Sequence, residues 1–335
     1  MPCRFLTVFA LTLGMYAPSA WSDSDPLLVW SYRGGEVIEP LLEAFTEQTG
    51  LAVEYRVLGG DGIVEALIEG TEQKPDLILV VDALRVDTLQ RAGLLRPLPQ
   101  EALAGVDPKW RDSKDYWSGI AWRARSVVRR ADSEHPADVD ALTDLARNGQ
   151  LCIRPGAHVY NRGWLTWLVA NRGVDASLAW ATTVFDHRVE VPGGDRDQIR
   201  AVANGLCTAA LVNHYYLMRW AASDDPEERA IAENLVFGWP DSSTPVAVNI
   251  TAIALPKGGR HPALADRLAA WLTRPEAQAM YAASVFEFPL DWPQQQTPLA
   301  TGLEALDLKP GEPWPRDLPA HRDAAETFFA EPPVM

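Results

Sequence analysis

The chain has 335 residues, 47% of them hydrophobic, with 30 basic and 45 acidic side chains and a formal net charge of −15. That acidity argues against nucleic acid or an anionic membrane as a partner, because both recruit basic faces. The length suits two domains around separate cores.

The chain opens with a secretory pattern. Arg4 precedes an apolar run over residues 5–17, then small residues at Ser19, Ala20 and Ser22, then the acidic Asp23. The run is too short to span a bilayer comfortably, so residues 1–22 read as a signal peptide and predict export to the periplasm. Cys3 departs with that segment, leaving Cys152 and Cys207. In an oxidising compartment an even pair reads as one disulfide, the alternative being two buried thiols.

Residues 27–30 form a short apolar strand. Val37, Leu41, Leu42 and Phe45 then follow a helical period that stops near Gly50. A strand over 53–57, a helix over 63–68, a fully apolar strand over 77–81 and a helix over 83–92 complete the first stretch. Alternation of this kind predicts an α/β domain with a mostly parallel sheet. The theme repeats with a strand at 151–154, helices over 161–171 and 198–204, and a strand at 208–212. A β run at 246–255 and helices over 262–272 and 275–283 follow, and the tail beyond Pro289 is expected to be irregular. Residues 120–128 read as a long strand crossing between domains, and 246–255 as the return. Two crossings make two lobes around a cleft, where such folds bind ligands.

No Gly-x-Ser-x-Gly, His-Glu-x-x-His or P-loop is present. Gly59-Gly60-x-Gly62 lacks dinucleotide spacing, and His135, His187, His261 and His321 read as surface or capping residues. The segment Asn213-His214-Tyr215-Tyr216-Leu217-Met218-Arg219 directly follows a buried strand. If the chain turns into a helix there, its two phenols face the cleft; the bland alternative packs them onto neighbouring helices. Tyr160 occupies a comparable place after the strand at 151–154. Arg123 and Arg125 lie two apart on one strand and point the same way. They suit a bound oxyanion or carboxylate, or else ion pairs within the protein.

These pieces together resemble the periplasmic ferric-ion-binding proteins of ABC importers, over residues 27–290. The resemblance is carried by Asp76-Leu-Ile-Leu-Val-Val-Asp82, Trp122-Arg-Ala-Arg-Ser-Val-Val, Val159-Tyr160-Asn161, Val212-Asn-His-Tyr-Tyr216 and Val248-Asn-Ile-Thr. It implies a type II periplasmic-binding fold, with lobe 1 built from residues 23–121 and 247–335 and lobe 2 from 122–246. It further implies Fe³⁺ held by phenolates of Tyr160, Tyr215 and Tyr216. Arg123 or Arg125 would anchor a synergistic anion such as carbonate, with Arg219 and Asp82 in supporting positions. A monomer delivering its cargo to a membrane permease, without catalysis, is the implied role. One departure stands out. After the first strand the family carries a His, a Tyr or both, where this chain reads Ser31-Tyr32-Arg33-Gly34-Gly35-Glu36 with glycines at the ligand positions. Residues 154–158, Arg-Pro-Gly-Ala-His, also lack the hydroxyls that often hold the anion. The expectation is therefore that first-lobe coordination is absent or replaced by anion and water, and that closure is less complete. A ferric chelate, or an organic or oxyanionic solute anchored on the arginines, is the same-fold alternative. A secreted hydrolase is the different-class alternative, disfavoured because no nucleophile–base pair is readable.

Overall fold

The computed structural model describes residues 25–133, 138–239, 245–291 and 310–330. The segment read as a signal peptide, His135 and residues 292–309 of the tail lie outside them. The first stretch runs β1 (Leu27–Ser31), α1 (Gly35–Thr49), β2 (Val53–Val57), α2 (Gly62–Glu69), β3 (Leu77–Val81) and α3 (Ala83–Arg91). It continues through β4 (Leu95–Arg96), α4 (Gln100–Leu103) and the long β5 (Trp117–Arg130). Next come α5 (Val139–Arg147), β6 (Leu151–Ile153), α6 (Val159–Arg172), α7 (Val174–His187) and α8 (Asp195–Ala203). Then follow β7 (Ala209–Asn213), α9 (Tyr215–Ala221), α10 (Pro226–Glu233) and β8 (Leu235–Gly238). The return path is β9 (Val248–Pro256), α11 (Pro262–Leu272), α12 (Pro275–Val285) and a final helix α13 (Arg322–Ala330).

Local chemistry accounts for several of these boundaries. Val37, Ile38, Leu41, Leu42 and Phe45 form the buried stripe of α1, which ends at Gly50 in the left-handed region at φ 71°. Asp138 caps α5 by accepting from the Ala141 amide at 2.8 Å. Proline opens α10, α11 and α12, where its missing N–H costs nothing.

The strands run in the order β2-β1-β3-β9-β5-β7-β6, with β4 added to β9 and β8 to β5. The expected crossing strand is β5, while β9 pairs among the described residues with β3, β4 and the first part of β5. β5 pairs antiparallel with β9 from Trp117 to Ala124, then with β7 from Arg125 to Arg129. One strand thus serves two halves of the sheet. α1, α11 and α12 cover one face of the first half, and α2 and α3 the other. In the second half α5, α6 and α7 cover one face, and α8, α9 and α10 the other.

The tail departs from expectation. Its described part contains α13, which packs Ala325, Phe328 and Phe329 into the same cluster as Val139, Trp164 and Trp180. That places the helix against α6 and α7 rather than with the first lobe alone. Arg322 nevertheless reaches back to α3, donating to Asp87 Oδ2 at 2.7 Å and Thr88 Oγ1 at 2.9 Å. The tail therefore straddles the two halves.

Cys152 on β6 and Cys207 just before β7 are bonded, with Cα atoms 5.8 Å apart and a sequence separation of 55. Both are buried. Closing a loop of that size contributes about 4 kcal/mol in the chain-entropy model. Unreduced protein should show two fewer hydrogens by intact mass and no alkylation. The double Cys→Ser variant should unfold at clearly lower denaturant concentration.

Candidate metal centre

Tyr160 enters at the start of α6, and Tyr215 and Tyr216 at the start of α9, each just past the carboxyl end of a parallel strand. His158 fixes the first turn of α6 by accepting from the Tyr160 amide at 3.2 Å. The three phenols come together. The Tyr160 and Tyr215 hydroxyls are 3.0 Å apart, and the Tyr215 and Tyr216 ring centroids 4.4 Å. Asn213 Nδ2 reaches the Tyr215 hydroxyl at 3.4 Å. Tyr215 is 1% exposed and Tyr160 6%. The chain does turn into a helix at this point, as the cleft-facing reading required.

The first half of the molecule supplies the facing wall, and the sequence reading missed it. Tyr32 packs with Tyr216 against Val81, Val159 and Tyr160. Arg85 lies over the Tyr32 ring, 4.5 Å from its centroid, and also holds Asp61 at 2.6 Å. Arg33 lies over the Tyr215 ring at 5.3 Å. Its Nε donates to the Tyr281 hydroxyl at 3.1 Å, and its Nη2 pairs with Glu287. Glu287 in turn accepts from Thr251 Oγ1 at 2.8 Å. So the loop with glycines at 34 and 35 still reaches across, through the two residues before them. The signal was available: a Tyr-Arg pair directly after a buried strand, the same placement that marked Tyr215.

The electrostatics divide the phenols. Burial raises Tyr160 well above the ordinary phenol value, and Tyr215 raises it further. Burial likewise raises Tyr216. Burial also opposes ionisation of Tyr215, yet the Arg33 and Arg123 guanidiniums outweigh it and bring this phenol below its usual value. Tyr215 is thus the first to ionise, with Tyr160 placed to donate to it. Arg33 itself is held charged, because Tyr281, Glu287 and Tyr215 overcome the burial that works against it.

The other expected site residues fall in different places. Arg123 lies over the Tyr160 ring at 5.3 Å, but its guanidinium donates to the Ile250 carbonyl at 2.7 Å and pairs with Asp82 at 3.2 Å. Arg125 pairs with Asp195 at 3.4 Å and donates to Asn213 Oδ1 at 3.3 Å and the Leu211 carbonyl at 3.2 Å. Both arginines line one small cavity where β5 and β9 cross, with Asp82 and Asn249. Asp82 belongs to that crossing: it caps α3 through Leu84 at 3.0 Å and takes Asn249 Nδ2 at 2.9 Å. Arg219 is half-buried on α9 and makes no hydrogen bond or ion pair among the described residues.

His214 stacks on Phe288 at 4.5 Å and accepts from the Ala124 amide at 3.1 Å. Burial pushes its pKa down to about 3, so it is a neutral packing residue. Burial and Arg154 take His158 down to about 2. Among the described residues, no group of three or more His, Cys, Asp or Glu side chains is placed to hold a metal. Phenols are the donors this cleft offers.

The chain is similar to several characterised proteins. Iron uptake protein A1 of Synechocystis is 29% identical over 275 residues, 80% of this chain and 76% of that one. The Fe(3+)-binding periplasmic protein of Serratia marcescens is 23% identical, covering 90% of this chain and 89% of its own. Among solved structures, the apo ferric ion-binding protein A of Pasteurella haemolytica superposes with a TM-score of 0.81 at 27% identity, covering 92% of this chain and 97% of its own. A Trichodesmium protein in complex with iron and citrate ligands gives 0.79 at 25% identity, covering 91% and 98%. The family model for bacterial extracellular solute-binding proteins matches residues 30–279. A match over that much of the chain, on a two-lobed sheet with its polar cleft, establishes that the protein belongs to the bacterial extracellular solute-binding proteins.

Proposed function

We propose that the protein captures ferric iron in this cleft and delivers it to an ABC permease, after export through its N-terminal segment to the periplasm. The observation that carries the reading is the meeting of Tyr160, Tyr215 and Tyr216, with two hydroxyls 3.0 Å apart, in a buried space ringed by guanidiniums. A ferric ion is small, highly charged and hard, and it favours oxygen donors. Bound, it draws phenols far below their free pKa of about 10. Three phenolates balance its charge. Tyr32 is a fourth phenol within the same cluster and supplies the contribution from lobe 1 that Gly34 and Gly35 withhold. A synergistic anion such as carbonate fills the two remaining positions of a six-coordinate ion from solution. Iron-named relatives on both sequence and structure support this choice of cargo.

In this reading Arg33 does two jobs. It favours the Tyr215 phenolate, and it ties the β1–α1 loop to Glu287, whose side chain is fully buried. An Arg33→Ala change strands that carboxylate and should destabilise the apo protein by roughly 3–5 kcal/mol. Adding Glu287→Gln should recover most of the loss in denaturant titrations. Equal stability of the single and double variants would contradict the role.

Loading must also expel protons. Tyr160 and Tyr216, raised by burial, are protonated at neutral pH and become phenolates only with the metal. At least two protons leave per iron, so the apparent affinity should fall by about 100-fold or more for each unit of acidification. Competition with one chelator across pH 6 to 8 measures the slope.

Protein purified without chelator should contain iron and absorb visible light through phenolate-to-metal charge transfer. Tyr215→Phe and Tyr216→Phe should each remove much of the band and weaken binding at least about 100-fold, as expected for loss of a direct metal donor. If both variants bind ferric iron as tightly as the parent, the site lies elsewhere.

A further inference from the structure

Arg33 is held by its main chain and its side chain, and the side-chain hold is a closed ring. Ser31 Oγ accepts from the Arg33 amide and donates to the Arg33 carbonyl, each at 3.0 Å. The guanidinium donates from Nε to the Tyr281 hydroxyl at 3.1 Å and from Nη2 to Glu287 Oε1. The Tyr281 hydroxyl donates to Thr251 Oγ1 at 3.2 Å, and Thr251 donates to Glu287 Oε2 at 2.8 Å.

Proton counting fixes each direction in that ring. The Glu287 carboxylate only accepts, so Thr251 spends its one hydroxyl proton there and Tyr281 spends its own on Thr251. The Tyr281 oxygen then has only lone pairs left for Arg33 Nε. Burial pushes the Tyr281 phenol up to about 12, so it keeps the proton the ring needs. Thr251 and Tyr281 are 0% exposed and Glu287 is 1% exposed.

The supports are rigid elements. Thr251 sits in β9 and Tyr281 in α12. The chain leaves α12 through Phe286 in the left-handed region at φ 63°, a conformation rare for a bulky residue. Phe288 then exchanges two hydrogen bonds with Trp122 of β5, each 2.8 Å long. Glu287 lies between these two fixed points.

A guanidinium is planar, so holding it at two of its nitrogens sets its plane. The face is what remains for the second half, and its central carbon lies 5.3 Å from the centroid of the Tyr215 ring. Charge pairing alone would need only Glu287. Tyr281 and Thr251 add orientation.

We propose that Tyr281 and Thr251 are positioning residues of the cargo site. Acting through Arg33, they lay a fixed positive charge on the face of the Tyr215 ring from the opposite half of the molecule. The two halves thereby meet through charge where Gly34 and Gly35 carry no ligating side chain. The consequence for the metal rests on the ferric reading; the positioning of Arg33 does not.

Two substitutions in the full-length mature protein break the ring without touching Arg33 or the phenols of the cleft. Tyr281→Phe deletes the acceptor of Arg33 Nε, and Thr251→Val deletes the acceptor of Tyr281. Thr251→Ser keeps the hydroxyl. In iron-free crystals the guanidinium should leave the Tyr215 ring in the first two variants and stay there in Thr251→Ser. With iron, the first two should weaken binding about tenfold, as for loss of an outer partner of a metal ligand. They should also move the visible band to longer wavelength, because a positive charge against the donor ring holds its electrons more tightly. Thr251→Ser should match the parent in both. A guanidinium that keeps its place over Tyr215 in either Tyr281→Phe or Thr251→Val overturns the proposal. So does weaker binding with an unmoved band, the mark of a merely structural loss. A parent that takes up no iron defeats the ferric reading instead, and the iron-free crystals then decide the positioning alone.

Discussion

The carboxylate of Asp82 holds together the place on which everything else rests. It sits where β3 turns into α3, in a backbone conformation with φ 104° that L residues rarely adopt. One oxygen caps the helix, and the other takes Asn249 from β9 and Arg123 from β5. Burial raises its pKa, and the Arg123 guanidinium pulls the other way. Removing either partner would leave a charge buried and unmatched, which costs far more than the pair itself contributes. α6 comes close here as well: a Cβ on Gly163 would lie 3.2 Å from Asn249 Nδ2 and 3.4 Å from Asp82 Oδ2. The crossing strands and the helix that carries Tyr160 are therefore locked to one another.

From that lock the cleft follows. β5 passes through both halves, and β9 runs beside its first part, so side chains where the two strands part are near both walls. Tyr160, Tyr215 and Tyr216 come from the second half, and Tyr32 and Arg33 from the first. Phenols in such a space resist ionisation because burial penalises the phenolate, and only neighbouring positive charge reverses that. Arg33 and Arg123 provide it at Tyr215, while burial holds Tyr160 and Tyr216 above the ordinary phenol value. In the proposed reading, such an uneven set of phenols suits an ion of high charge, because the first phenolate would attract it and the others would ionise in its field.

Much of this was legible in the sequence, and the omissions have physical causes. Strand–helix alternation, the long crossing strand β5 and the disulfide rest on local pattern and compartment logic, and each is present. The tyrosine doublet was readable because loops after parallel strands meet ligands. Tyr32 and Arg33 occupy the same kind of loop, but the family's ligand positions fall on Gly34 and Gly35. Arg123 and Arg125 were read correctly as sharing one direction, since strand geometry fixes that. Their partners were not readable: Asp82 and Asp195 lie 41 and 70 residues away and meet them only through the tertiary fold. The helix α13 was hidden by the Pro- and Gln-rich stretch before it, and its role in bridging α3 and α6 is purely tertiary.

The central claim is that the phenols of Tyr160, Tyr215 and Tyr216 are the cargo's ligands. Diffraction from iron-loaded crystals, collected on both sides of the iron absorption edge, tests it most directly. The account predicts one strong peak in the cleft, within coordination distance of all three phenolic oxygens and on the side facing Tyr32. A peak bound elsewhere, or loaded crystals with no peak near these residues, would contradict it.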